Sequence, residues 1–467
     1  MPFVQASVRT VARTVRMRMH DKRMYQDYVR TRSPGGAAMR VSLATGKTYG
    51  ALLSRGERAG QEDAMSISCI MLPCEQLRQH ILHSTPGGQA RDPWYGWTCQ
   101  EAGGAEFGAQ VVWFGCFDGH GGPSVSQLLS KKLHRVFEAA EPEMVTDTVR
   151  YTRSLGGYFG RYSGGVLERW VRKDLLGRGK REAAPNFRSL SELAQSSSEP
   201  TPSALERYDA LADDGDSNAT HTKLIPPPDE MQGKEITLKE RATLAWLMMD
   251  REVQQNPEYD GAGSTASILL VHSLDQPAVP WYSSKYVSLT TIHVGDTRFL
   301  LCPTSDGKAV PLTTHHHPDE PGEAERLSRL GAGIVTDSFG EMRWMGTLAN
   351  TRAFGDTEAK RYGVTAEPEV RSHIVRGTEF AFAIGFSDGI SDVMSDQEIV
   401  DLCRGAQQPQ EAAKRVLKYA ENLGSVDNAT VLCVPLAGWG SIGGSDETKA
   451  RRKKRLSQVD LYRDRRK

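Results

Sequence analysis

The sequence predicts an α+β fold, on three observations: short apolar runs of strand length, a few segments with helical spacing, and no regular alternation of the two. VVWFGCF (111–117), TASILLVH (265–272), YVSLTTIH (286–293), FAFAIGF (380–386) and TVLCVP (430–435) are β-branched or aromatic-rich runs that read as strands. After Gly122, the segment SVSQLLSKKLHRVFEAA puts Val125, Leu128, Leu129, Leu133, Val136 and Phe137 on one face, the pattern of an amphipathic helix packed on a sheet. Ser395 and Glu398 have the spacing of a capping box, which opens a helix at SDQEIVDLC. EAAKRVLKYAENL supplies the next helix.

Composition bounds the function. The 467 residues are 39% hydrophobic and 25% charged, enough for one large domain or two ordinary ones. Lys+Arg and Asp+Glu both number 58, so no net field draws the chain to nucleic acid or anionic lipid. The seven cysteines, Cys69, Cys74, Cys99, Cys116, Cys302, Cys403 and Cys433, are scattered without CxxC spacing. That pattern leads us to expect a reducing compartment, with neither a zinc site nor a disulfide framework. No apolar run approaches the roughly 18 residues of a membrane span.

The two ends differ from the middle. Residues 1–45 read as a basic leader: Val4, Val8, Val11 and Val15 share one helical face, and Arg9, Arg13 and Arg16 fall opposite. A mitochondrial presequence has this form; an ordinary surface helix or a disordered basic leader is the alternative. Residues 437–467 read as a basic tail, expected to be solvated. Two insertions are expected in the body, at about 73–110, where GGQARDPWYGW is rich in breakers, and at 141–234, where SSSEPTPS, DDGDSNAT and PPPDE interrupt aromatic and basic segments. The second is the candidate surface for partner or substrate recognition.

The chemistry lies at strand ends. VVWFGCF runs into Asp118-Gly119 and FAFAIGFS into Asp388-Gly389. Glu62-Asp63 precedes the apolar run MSISCIML, and Asp427-Asn428 precedes TVLCVP. Each Asp-Gly alone is an ordinary turn dipeptide. Carboxylates collected at the mouth of a buried sheet, however, repel one another unless a cation neutralises them, and all-oxygen ligation suits Mg²⁺ or Mn²⁺ better than zinc. His315-His316-His317 reads as a polar turn, because three adjacent side chains cannot all face one ion.

The order of these motifs adds specificity. Arg58, Glu62-Asp63, Asp118-Gly119-His120-Gly121-Gly122, Gly263-Ser264-Thr265-Ala266, Gly295-Asp296-Thr297-Arg298, Arg352-Ala353-Phe354-Gly355-Asp356, Asp388-Gly389-Ile390-Ser391-Asp392 and Asp427-Asn428 follow one another. In this the chain resembles the type 2C metal-dependent serine/threonine protein phosphatases over nearly all of residues 46–436, outside the insertions. The resemblance implies a four-layer α-β-β-α sandwich, two central antiparallel sheets flanked by helices, with the metal centre at one end. It implies two Mn²⁺ or Mg²⁺ ions: Asp118 bridging, Asp388 and Asp427 completing one site, and Glu62 with the Gly119 carbonyl serving the other, beside Asp63. Asp296 and Asp388 are the implied ligands of a weaker third ion, with Asp392 close by. Arg58 is the implied phosphate-gripping residue, with Arg55 as competitor, and His120 the general acid. Joined to a presequence, the pattern looks like the fungal mitochondrial members, some of which act on the pyruvate dehydrogenase complex. A rival reading is a pseudophosphatase, but no matched carboxylate is missing. Ala349-Asn350-Thr351-Arg352, where relatives often have serine before the arginine, and Ser391, where many have tryptophan, depart from the pattern.

Overall fold

A computed structural model describes residues 27–32, 36–84, 92–176, 222–328, 334–336, 342–344 and 349–464. Its strands are β1 (Tyr28–Arg32), β2 (Ala38–Ser42), β3 (Gly50–Ser54), β4 (Ala64–Met71), β5 (Gln110–Phe117), β6 (Ala266–Ser273), β7 (Tyr286–Val294), β8 (Arg298–Pro303), β9 (Glu369–Arg376), β10 (Phe380–Phe386) and β11 (Ala429–Pro435). Shorter strands are given by residue. The main helices are α1 (Cys74–His83), α2 (Ser124–Ala139), α3 (Val145–Ser154), α4 (Leu238–Gln255), α5 (Pro321–Ser328), α6 (Asp396–Cys403), α7 (Pro409–Leu423) and α8 (Lys449–Asp464).

Two five-stranded sheets form the centre. One has the order β9-β7-β6-β5-β4, the other Val310–Pro311, β8, β10, β11, β3, and every pairing within them is antiparallel. The side-chain period of two explains why the strands are continuously apolar. Val111 and Trp113 face helices α2 and α4, whereas Val112 and Phe114 face the opposite sheet. Likewise Ile384 and Val431 belong to the layer under α6 and α7, and Ala383 and Leu432 to the layer between the sheets. Strands covered on both faces need apolar residues at both parities, as the four-layer expectation requires. Each fully buried Leu or Phe contributes about 1.5–3 kcal/mol by leaving water.

Local signals place the helices. Thr237 and Glu240 form a capping box that starts α4, and Ser395 and Glu398 form the expected one that starts α6. α7 ends where Gly424 takes a left-handed conformation, φ 89°.

Three expectations need correction. The leader boundary at 45 is too late: β1 and β2 form a hairpin, and Val29 joins the core between the sheets. Residues 1–26, which carry the presequence pattern, lie outside the described residues. The tail is not simply solvated, because α8 docks through Arg455, which pairs with Glu398 at 2.8 Å and donates to the Val393 carbonyl at 2.6 Å. The expectation of no disulfide also fails, since Cys74 and Cys99 are bonded with Cα atoms 5.7 Å apart; the other five cysteines are free and buried. Spacing alone could not bring Cys74 and Cys99 together, because their approach depends on α1 returning against the segment before β5.

The two insertions are partly built into the body. Leu77, Ile81, Trp97 and Phe107 from 73–110 enter the core beneath α2 and α4, as do Val145, Val149, Leu167, Trp170 and Met231 from 141–234. Arg169 grips Glu240 of α4 with two bonds, at 2.5 and 2.7 Å. Residues 177–221 of the second insertion lie outside the described residues.

Candidate metal centre

All the acidic motifs arrive at one end of the sandwich, because each sits where a central strand begins or ends. Asp63 precedes β4, Asp118 follows β5, Asp296 lies between β7 and β8, Asp388 follows β10, and Asp427 precedes β11. The backbone around them is held by the other quoted motifs. The carbonyl of Asp118 accepts from Thr265 N and Ser264 Oγ, both at 2.9 Å, which gives Gly263-Ser264-Thr265 its place in the motif order. Asn428 Oδ1 accepts from Glu62 N at 2.6 Å, while Asn428 Nδ2 donates to the carbonyls of Arg55 and Gly60. A Cβ at Gly119 would collide with the Glu62 carbonyl, and one at Gly389 with that of Asn428, so both glycines permit the strand ends to close together.

The carboxylates crowd one another. Burial and the charges of Asp388, Asp63 and Asp296 push Asp118 well above the ordinary carboxylate range. Burial, with the neighbouring Asp296, Asp392 and Asp427 charges, pushes Asp388 up to about 8. Asp63 rises to about 6, chiefly through burial, even though Ser387 Oγ and Thr430 Oγ1 each donate to its Oδ2 at 2.7 Å. Its other oxygen, Oδ1, is buried and receives no hydrogen bond from a fixed donor; the Asp118 carboxyl is its neighbour. Asp296 is the exception. Burial raises it, but the His317 ring, with Nε2 3.6 Å from Oδ2, and a hydrogen bond from Asn350 Nδ2 at 2.8 Å outweigh that and hold it low. Buried, mutually repelling oxygen ligands with an unsatisfied lone pair fit hard divalent cations.

Around this cluster stand the cationic groups. Arg58 Nη2 lies 2.5 Å from Asp427 Oδ2, whereas Arg55 turns back to the Ala59 carbonyl at 3.4 Å, so of the two arginines Arg58 faces the carboxylates. His120 pairs through Nε2 with Asp356 Oδ1 at 2.9 Å. Burial alone would lower the His120 pKa, but the Asp356 bond and charge outweigh it and raise it. Asp356 holds a left-handed backbone, φ 48°, in a loop fixed by Asp250: Asp250 Oδ1 accepts from Gly355 N at 2.9 Å and lies 3.0 Å from Lys360 Nζ.

The structure therefore brings together Glu62, Asp63, Asp118, Gly119, His120, Asp296, Asp388, Asp392, Asp427 and Arg58. Sequence reasoning missed several of their partners. Asp356 stood in a quoted motif without a role, and Asn350 was noted only as a departure. Ser387, Thr430 and Asp250 carried no signal beyond their proximity to motif residues. Arg352 proves structural: it binds Glu323 Oε1 and the Glu367 carbonyl.

Residues 211–429 match the family profile described as Protein phosphatase 2C. Protein phosphatase 2C homolog 4 of Schizosaccharomyces pombe is 32% identical over 343 residues, covering 72% of this chain and 74% of that protein. The chain belongs to the protein phosphatase 2C family and is, by class, a protein serine/threonine phosphatase. The mitochondrial protein phosphatase 1K of Xenopus laevis is 35% identical over 160 residues, 34% of this chain and 42% of that protein. A solved serine-threonine phosphatase 2C from Toxoplasma gondii covers 88% of this chain and 98% of its own at 17% identity and a TM-score of 0.47.

Proposed function

We propose that the chain hydrolyses phosphoserine and phosphothreonine esters in proteins by direct attack of water, using two Mn²⁺ or Mg²⁺ ions. Asp118, Asp388 and Asp427 would hold one, Glu62 and the Gly119 carbonyl the other with Asp118 shared, and Asp63 would support them from beneath. Asp296, with Asp388 and Asp392, would hold a weaker third. What those cations supply when bound is a nucleophilic water at neutral pH and neutralisation of phosphate charge.

The chain's own groups supply the rest. Arg58, whose guanidinium reaches the rim of the cluster, grips phosphate oxygens through its planar fork. His120 has its Nε2 committed to Asp356, so the protonated ring keeps Nδ1–H to donate to the leaving serine or threonine oxygen. Cysteine-based catalysis has no support, because all five free thiols are buried and burial raises the pKa of each.

The observation that carries this reading is the crowded group of Asp63, Asp118 and Asp388, each displaced upward by burial and its neighbours. Its test is hydrolysis of a phosphothreonine peptide with and without Mn²⁺ or Mg²⁺, beside Asp118→Ala and Asp388→Ala. Turnover that needs metal and vanishes in both variants supports it; folded protein without metal-dependent turnover points instead to a pseudophosphatase acting as an interaction protein.

A mitochondrial site of action, in the matrix, is the second part of the proposal, with substrates such as the pyruvate dehydrogenase complex. Its support is the basic amphipathic pattern of residues 1–20 and the similarity to a mitochondrial relative. Import of a fusion carrying residues 1–45 into isolated mitochondria tests it; failure to import favours a cytosolic or nuclear signalling phosphatase. Protein partners are assigned to the 141–234 insertion, and no described helix is long and apolar enough to cross a membrane.

A further inference from the structure

The histidine triplet has a geometry that adjacency in sequence conceals. Its middle member is pinned inward. His316 N donates to the Gly295 carbonyl at 2.8 Å, Gly295 N donates to His316 Nδ1 at 3.0 Å, and the His316 carbonyl accepts from Thr351 N and Thr351 Oγ1. The His316 ring stacks on His293 with centroids 4.6 Å apart. In an extended segment, residues two apart lie on the same side, so anchoring His316 turns His315 and His317 together to the other face. Their ring centroids are 4.6 Å apart. The chain then turns, with Glu320 N donating to the His317 carbonyl at 3.1 Å, and this turn brings Asp319 back beside them. One ring nitrogen from each of His315 and His317 and one carboxylate oxygen of Asp319 lie within 4.8 Å of one another.

We propose that His315, His317 and Asp319 form a binding site for a divalent transition cation of the zinc type, separate from the carboxylate centre. Two imidazoles and a carboxylate are a donor set for zinc and its borderline neighbours, with solvent completing the coordination; Mg²⁺ prefers oxygen alone. Bonds of about 2.0–2.1 Å in a tetrahedron place ligand atoms about 3.3 Å apart, so the side chains must close in by roughly an ångström or so. His315 and His317 are partly exposed and Asp319 is exposed, which leaves room for rotamer adjustment and a route for the ion. The site also touches the phosphatase centre, since His317 Nε2 lies 3.6 Å from Asp296 Oδ2. Occupancy is therefore felt at the position assigned above to the weaker third ion.

The experiment is equilibrium dialysis of Zn²⁺ against the full chain in millimolar Mg²⁺, which keeps the all-oxygen centre supplied with its preferred ion. The wild type should take up one Zn²⁺ that His315→Ala and Asp319→Asn each weaken by more than the roughly tenfold lost with even an outer-shell partner. Asp118→Asn should retain it. Asp319 is exposed, so its variant keeps the test valid if His315→Ala folds poorly. Co²⁺ gives a second readout, a visible absorption band present in the wild type and absent in Asp319→Asn. Equal Zn²⁺ uptake by the wild type and both turn variants, uptake lost only in Asp118→Asn, or no uptake at all would each overturn the proposal.

Discussion

Asp118 is destabilising to the metal-free protein because it is an anion among anions, and this gives the residue scale its clearest prediction. Asp118→Asn should abolish turnover, yet raise the stability of the protein in chelator, because burial and the Asp388, Asp63 and Asp296 charges all oppose ionisation of the carboxyl it replaces. Thermal melts in EDTA check this; a variant less stable than the wild type would mean that the carboxylates do not repel as described. Asp63 makes a complementary case. Its orientation comes from Ser387 and Thr430, so Thr430→Val, which keeps the shape and removes one donor, should weaken Mn²⁺ binding by about tenfold to a hundredfold. A calorimetric titration showing unchanged affinity would assign those hydroxyls a purely structural part.

At the scale of elements, α8 and α6 depend on each other. Glu398 and Asp401 of α6 have fully buried side chains, and Arg455 and Arg452 of α8 face them, with Thr448 donating to Asp401 from both N and Oγ1. Removing residues 449–467 leaves Glu398 without its nearest guanidinium, and should cost about 3 kcal/mol in urea unfolding, the lower end for breaking a buried pair. A truncated chain with an unchanged midpoint would show that α8 merely rests on the surface. A second electrostatic node lies at the start of α5. Glu323 is buried between Arg326 and Arg352; burial opposes its charge, but the two guanidiniums win and hold its pKa down to about 2. A depressed folded pKa means stability that is complete above the ordinary glutamate range and lost as pH falls from about 4.5 to about 2. Glu323→Gln should therefore be less stable than the wild type by about 3 kcal/mol at pH 7, with the gap closing across that acid window. A gap independent of pH would remove the charge from the explanation.

The insertions matter at the scale of the whole molecule. Deleting all of 141–234 would remove Leu167, Trp170 and Val149 from the core, and losses of several kcal/mol per large buried side chain exceed what a domain can spare. The informative deletion is 177–221 alone. It should leave turnover of a small phosphoester intact while reducing turnover of the phosphoprotein substrate, and an equal loss of both would separate the segment from recognition. Metal binding should show at the same scale: cation at a hundredfold excess over its dissociation constant adds about 2.7 kcal/mol to unfolding, lost on chelation.

What could be read in the sequence was local or periodic. Strand-length apolar runs, the 3.6-residue face of α2, the Ser395–Glu398 capping box and carboxylates at strand ends all follow from a few neighbouring residues, and the ordered motifs joined them into a recognisable site. The tertiary structure alone decided the pairings between distant segments: Cys74 with Cys99, Asp356 with His120, Arg455 with Glu398, Trp170 with the core, and His315 with His317 and Asp319 on one face. Propensity and periodicity act over one or two turns of chain. Which side chains meet across tens or hundreds of residues is set by how the layers pack, and that packing placed both the partners of the carboxylate centre and the turn beside it.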